Sequence, residues 1–101
     1  MDVTIADNPD EQRYEITAGG TRAGFAQYRS RPGLIAFIHT EIDDAFAGQG
    51  LASQLIGFAL DDARSRGLAV LPFCPFVNAY VQRHPDYVEL VPEAQRGEFG
   101  L

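Results

Sequence analysis

The chain reads as an α+β fold: an antiparallel meander of strands, then a parallel β-α-β crossover, with about two helices on a mixed sheet. Three observations predict this. The first forty residues alternate apolar and polar side chains between turn signals, as half-buried strands do. From Leu51 the period changes to that of one helix face. A short apolar run, Leu68 to Phe73, then follows that helix, and a strand–helix–strand unit crosses over right-handed into a parallel pair.

The elements follow in order. Val3 to Ala6 forms a short edge strand, and Asn8-Pro-Asp10 turns the chain. Arg13 to Thr17 alternates, and Ala18-Gly-Gly20 is a hairpin turn. Thr21 to Tyr28 is the next strand, with Ala23, Phe25 and Gln27 expected on one face. Arg29 to Gly33 turns again. Leu34 to Ile42 is the strongest strand, apolar on both faces in its first half as a central strand requires.

Leu51, Ala52, Leu55, Ile56, Ala59, Leu60 and Ala63 share one helix face, with Gln54, Gly57, Asp61, Arg64 and Ser65 on the other. Asp62 and Arg66 form an i, i+4 pair worth about 0.3 kcal/mol, and Gly67 stops the helix. Pro75 suits the first turn of a second helix, which ends near His84 before Pro85. Tyr87 to Val91 is expected as a final strand, and the tail from Pro92 as loosely held.

Composition narrows the function. A length of 101 residues fits one domain, expected to span 1–101, and 46% hydrophobic residues support a core without metal or disulfide staples. A net charge of −6 argues against nucleic acid as partner. All 8 basic residues are arginine. The single cysteine, Cys74, excludes an internal disulfide, and no ligand cluster for zinc is present. The acidic N-terminus carries no signal-peptide apolar region, and no apolar run reaches the roughly 20 residues that span a bilayer. The expected setting is cytoplasmic and reducing, with no membrane partner.

The segment Ile42 to Ser53 carries most of the functional information. An apolar strand leads into Gly48 and Gly50, and a helix opens directly after them. Free N–H groups at such a helix start bind phosphate or diphosphate, aided by the helix dipole. A plain flexible turn is the competing reading. No Gly-Lys-Ser/Thr follows, so this is not a nucleotide P-loop.

Ala47-Gly48-Gln49-Gly50-Leu51-Ala52 resembles the acetyl-CoA motif Gln/Arg-x-x-Gly-x-Gly/Ala of the GNAT acetyltransferase superfamily, with Ala47 in place of the leading Gln/Arg. His39-Thr-Glu-Ile42, Ala59 to Gly67 and Pro72 to Tyr87 extend the likeness to nearly the whole chain. Together they resemble the small stand-alone GNAT-like proteins of YjdJ type. The resemblance implies acetyl-CoA or CoA as cofactor, with its diphosphate on residues 47–52. Its pantetheine arm would lie between two central parallel strands, along backbone groups near Thr40 to Ile42. It further implies acetyl transfer to an amine, either a small molecule or a protein tail. In place of the helices that usually shape the acceptor site, this chain has a tight turn at Ala18–Gly20. A CoA-binding sensor without turnover is the alternative.

Within that resemblance, His39 and Glu41 share a strand face about 6.8 Å apart. Either can take the proton that an attacking amine must lose, or the two form a solvated polar pair. Cys74, at a helix start, is an acyl carrier or a small core side chain. Tyr80 is placed to protonate the departing thiolate or is a core aromatic. Ser53 donates to a phosphate oxygen or caps its helix. Asn78 bonds pantetheine or caps its own helix. His84 reads as a helix-end residue. Direct transfer within one ternary complex is favoured over a Cys74 acyl-enzyme. Oligomeric state is not legible.

Overall fold

The computed structural model describes residues 2–101. Five strands form one sheet in the order of the chain. They are β1 (Val3–Asn8), β2 (Arg13–Ala18), β3 (Thr21–Arg31), β4 (Leu34–Ile42) and β5 (Ala69–Pro72). The first four are antiparallel neighbours, and β5 runs parallel to β4. Between them lies helix α1 (Leu51–Ser65); helix α2 (Pro75–Arg83) follows β5.

Alternation decides the sheet's two faces. Tyr14, Ile16 and Ala18 of β2 are buried, and the residues between them are half-buried. On β3 the expected face needs correction. Ala23 is buried, but Phe25 and Gln27 lie on the opposite, open face, while Gly24, Ala26 and Tyr28 turn inward. The cause is a bulge: Gly24 pairs with Ile16 and Arg22 with Thr17, so Ala23 is an extra residue. An inserted residue inverts the phase of all that follows. A second bulge sets Ile38 between the pairs Tyr28–Phe37 and Gln27–His39. The turn before β4 shrinks to Pro32-Gly33, since β3 extends through Arg31.

Helix α1 buries Leu51, Leu55, Ile56, Ala59, Leu60 and Ala63 against the inner face. Each large apolar side chain so placed contributes roughly 1.5–3 kcal/mol. Its C-terminal end is tied down by polar bonds. The buried Tyr14 hydroxyl donates to Asp62 Oδ2 at 2.5 Å, and Arg66 reaches the same oxygen at 3.1 Å. The Tyr28 hydroxyl donates to Asp7 at 2.6 Å, and Arg66 approaches Asp7 at 3.4 Å. The expected Asp62–Arg66 pair is therefore one edge of a network joining β1, β2, β3 and α1.

Two expectations for the C-terminal third fail. Pro85–Leu90 is a 3-10 helix rather than a strand. Pro85 stands at its first position, where a fixed φ favours a helix start, and the Tyr87 hydroxyl donates to Asp61 of α1 at 2.6 Å, holding the segment against that helix. The tail from Pro92 is folded back in 3-10 turns. Val91 is fully buried, Arg96 donates to the Val91 carbonyl, and Asn78 donates to the Phe99 carbonyl at 2.9 Å.

All four tyrosines of the chain hold their protons above the ordinary value of 10. Burial raises Tyr14 and Tyr28 far above it, reinforced by bonds to Asp62 and Asp7. The bond to Asp61 pushes Tyr87 up to about 12, and burial raises Tyr80. The folded state thus keeps phenolic protons that the unfolded chain releases. Stability from these groups is complete below pH 10 and falls as pH rises through the folded values. Each of the two buried tyrosines should cost up to about 1.4 kcal/mol per pH unit past 10. A phenolate absorbance titration should show Tyr14, Tyr28 and Tyr87 still protonated near pH 10 in the folded protein, with all four tyrosines ionising there in urea.

Gly24 is required by space. A Cβ there would collide with the Glu41 carbonyl oxygen and lie 2.6 Å from Ile42 Cδ1. Gly24→Ala should cost about 1–3 kcal/mol or more in urea unfolding.

Candidate functional site

The parallel β4–β5 pairing runs only from Leu34–Ala69 to Phe37–Pro72. The next donor in this register is Phe73, but its N–H bonds back to the Leu71 carbonyl, and β5 turns away into α2. The Cys74 N–H donates to the Phe37 carbonyl at 2.8 Å. Beyond that bond, β4 continues to Ile42 with β3 on one side and, among the described residues, no strand on the other. The sheet is parted here, as the sequence resemblance implies.

At the end of this parted edge the chain makes a single 3-10 turn, Asp44–Phe46, and reaches the glycines. Gly48 and Gly50 have φ of 80° and 73°, a left-handed conformation that a side chain strains. A Cβ added at either would meet nothing within 4 Å. The backbone there is therefore open to a ligand rather than packed. Gly50 caps α1 with no side-chain hydrogen bond, and the first turn holds no acidic residue. The Gln54 N–H is bonded to the Gly50 carbonyl. The N–H groups of Leu51, Ala52 and Ser53 precede it and have no helical acceptor. They border a cavity of about 320 Å³ lined by Ile42, Ala47, Gly48, Gly50, Leu51, Ala52, Ser53 and Phe76. Free donors, a positive helix end and no competing carboxylate within the turn suit a diphosphate. Ser53 is exposed and makes no cap bond.

The other sequence-derived residues fall in three places. Thr40 lies on the inner face of β4, and its Oγ1 is 3.4 Å from Cys74 Sγ. Cys74 is buried and stands at the N-cap of α2, beside the parted strands. His39 and Glu41 lie on the other face of the sheet, opposite Gln27 and Phe25. Both are more than half exposed, with Nε2 and Oε1 3.5 Å apart. Gln49 is exposed on the loop and does not line the cavity.

Tyr80 and Asn78 are not brought to the cavity. Tyr80 lies in the seam between α1 and α2, stacked on His84 with ring centroids 4.2 Å apart. Its hydroxyl would be 2.8 Å from a Cβ on Gly57. Asn78 is engaged with the tail through Phe99 and accepts a bond from Gln82.

Phe76 and Gly57 were not among the site or core residues read from the sequence. Phe76 forms the cavity wall contributed by α2, and nothing local marks it until the two helices are juxtaposed. Gly57 gave a local signal, since a mid-helix glycine costs about 1 kcal/mol against alanine. It makes room for the Tyr80 hydroxyl, where the helical period alone placed it on the outer side.

Among the described residues, no group of three or more His, Cys, Asp or Glu side chains is placed to hold a metal ion. No helix among them is long and apolar enough to cross a membrane.

Known proteins supply a frame for this geometry. The fold resembles a GCN5-like protein from Staphylococcus aureus at a TM-score of 0.67 and 21% identity, covering 88% of this chain and 87% of that one. It also resembles Ard1 from Thermoplasma volcanium at a TM-score of 0.52 and 21% identity, over 60% of this chain. The match spans 43% of the Ard1 chain, less than half of its length. No curated protein gives a significant sequence match. The model of the GCN5-related N-acetyl-transferase family matches residues 13–90, most of the chain. With the parted sheet and the glycine-opened helix in the expected places, the chain belongs to the GCN5-related N-acetyl-transferase family.

Proposed function

We propose that this protein is a small stand-alone N-acetyltransferase, of YjdJ type, that uses acetyl-CoA and passes the acetyl group directly to an amine. One observation carries the reading: the cavity of free N–H groups at the start of α1 adjoins the unpaired edge of β4. Backbone donors of residues 48–52 hold the diphosphate. The edge of β4 from Thr40 to Ile42 aligns the pantetheine amides. Bound there, acetyl-CoA supplies an activated thioester, and transfer forms an amide C–N bond as the C–S bond breaks. The amine must shed a proton, and Glu41 or His39 accepts it on the open face of the sheet. Placing both reactants in one complex can lower the barrier by roughly 7–11 kcal/mol, more than any single acid or base here. Positioning is therefore the main catalytic resource.

Tyr80 would protonate the departing thiolate only after rotating out of its seam with Gly57. Water reaching the parted edge is the simpler proton source. Cys74 supports a second route, because it stands at a helix N-cap next to the parted strands. Yet among the described residues the one polar side chain bonded to it is the Thr40 hydroxyl, which is not a base. Direct transfer asks nothing of the thiol. A CoA sensor without turnover is the remaining reading, favoured by the absence of any helix before β4 among the described residues. A cytoplasmic setting, the usual location of acetyl-CoA chemistry, completes the proposal.

CoA should raise the melting temperature, as a ligand selective for the native state does. Acetyl-CoA should release free thiol only when an amine is present. Stabilisation without amine-dependent release would establish the sensor; no response to CoA at millimolar concentration would remove both readings. Gly50→Ala should weaken CoA binding by about tenfold or more in calorimetry, while the left-handed strain lowers stability by only about 1–2 kcal/mol. Cys74→Ala should retain turnover within about threefold, since orientation rather than the thiol carries the rate. Loss of turnover together with a stable acetyl adduct on the wild-type thiol would establish the covalent route.

A further inference from the structure

A second cavity lies on the far side of the first turn of α2. It is a cleft of about 560 Å³, within the usual range for small ligands. Its walls are Pro72, Phe73, Pro75, Asn78, Ala79, Gln82, Glu98 and Phe99. The start of α2 divides it from the cavity at α1, since Phe73 and Pro75 face this cleft and Phe76 faces the other. Cys74, bonded to Thr40 at the parted strands, lies in sequence between Phe73 and Pro75.

The lining has a definite chemistry. Phe73 is 52% exposed, an unusual position for a phenylalanine. It meets Phe99 edge to face, with ring centroids 5.2 Å apart. Glu98 is exposed beside them and is the only charged residue of the eight. The two amides are largely committed to the protein: Asn78 donates to the Phe99 carbonyl and Gln82 to Asn78 Oδ1. What the cleft offers a ligand is therefore two aromatic rings, two proline rings and a carboxylate, with no cationic group.

We infer that this cleft binds the charged end of an alkylammonium cation, with the ammonium at Glu98 and its methylenes against Phe73 and Phe99. An anion would meet Glu98 and no counter-charge. A neutral apolar molecule would desolvate Glu98 without return. An alkylammonium satisfies both halves of the lining, because the faces of aromatic rings attract cations and their surfaces accept methylenes. The assignment of this cation as the acetyl acceptor rests on the acyl-transfer reading above; the binding itself does not. A diamine or polyamine held here by one nitrogen would reach the start of α2 from the side opposite the diphosphate cavity. Donor and acceptor would then occupy separate clefts.

The test uses the whole protein without CoA and 1,5-diaminopentane as the probe, with 1-pentanol as its uncharged counterpart, followed by NMR. The diamine should shift the Phe73 and Phe99 ring resonances saturably, and the alcohol should not. Glu98→Gln, a change at an exposed side chain, should weaken the diamine by roughly fivefold, the upper end for an exposed ion pair. Phe73→Leu should weaken it to a similar degree while leaving the fold intact. Equal response to the alcohol, unchanged binding in Glu98→Gln, or no shift of these two rings would each overturn the inference. CoA binding is titrated separately on the same sample. CoA binding without diamine binding removes this inference alone, and diamine binding without CoA binding removes the acyl-transfer reading alone.

Discussion

The structure depends on a single interruption: the parallel ladder between β4 and β5 stops after Phe37 and Pro72. The Ala69 N–H faces β4 and bonds the Gly33 carbonyl, so alternate residues of β5 donate to β4 and the next donor would be Phe73, which leaves the register. Phe73 bonds back to Leu71, and Cys74 closes on Phe37. The chain then enters α2 through Pro75, whose fixed φ favours a helix start. Five residues of β4, Ile38 to Ile42, are thereby left with one free edge. An unpaired edge strand in a small domain is ordinarily a hazard. Here it ends beside the opened start of α1: Ile42 lines the same cavity as Gly48 and Gly50, so a row of unpaired β4 groups lies next to the free helix N–H groups.

That row requires the rest of the molecule to be rigid around it. The polar network of Tyr14, Asp62, Arg66, Asp7 and Tyr28 fastens the opposite end of α1 to three strands. Bonds to charged groups contribute roughly 1.5–3 kcal/mol each when well shielded, more than the ion pairs on the surface. The helix is thus anchored at its C-terminal end, and its N-terminal end remains uncapped by any side chain. Gly24 acts in the same sense on β4, where its bare backbone lets β3 close against Glu41 and Ile42. The positions of the glycines follow from this arrangement. Some open the site, and others let neighbouring elements come close enough to hold it still.

Much of this was legible because it is periodic or punctuated. The bounds of β4 and α2 and the start of α1 follow from alternation, helical rhythm, Pro75 and Gly50. The face of β3 was not legible, since one extra residue at Ala23 inverts the phase and nothing in the composition of Thr21 to Tyr28 announces it. Tyr87 to Val91 has the apolar content of a strand, but Pro85 and the Tyr87–Asp61 bond divert it into a 3-10 helix packed on α1. The tail is held by one side chain reaching a distant carbonyl, Asn78 to Phe99, across 21 residues. Such contacts leave no trace in local pattern. For the same reason Ile42, Gly48 and Gly50 could be assigned to one cavity from the sequence, whereas Phe76 could not. The first three follow one another along the chain, and Phe76 arrives only through the packing of α2.

The charge of the molecule bears on the two clefts in opposite ways. A net charge of −6 opposes the approach of a diphosphate and favours a cation. At physiological salt the field of distant carboxylates fades over about 8 Å, so the outcome at each cleft is decided by its own lining. At the start of α1 the nearby acids are Asp43 and Asp44, which precede the glycines, and the first helical turn contains none. On the reading proposed above, backbone donors at hydrogen-bond distance from a phosphate would outweigh exposed carboxylates facing water. The cleft by α2 has the reverse lining, with Glu98 and no base. On the two readings proposed above, an anionic donor held by neutral main-chain groups and a cationic acceptor drawn by the surface charge would bind together without competing for one charge. On the first of them, reliance on bare backbone at Gly48 and Gly50 keeps fixed positive charge away from the cofactor site.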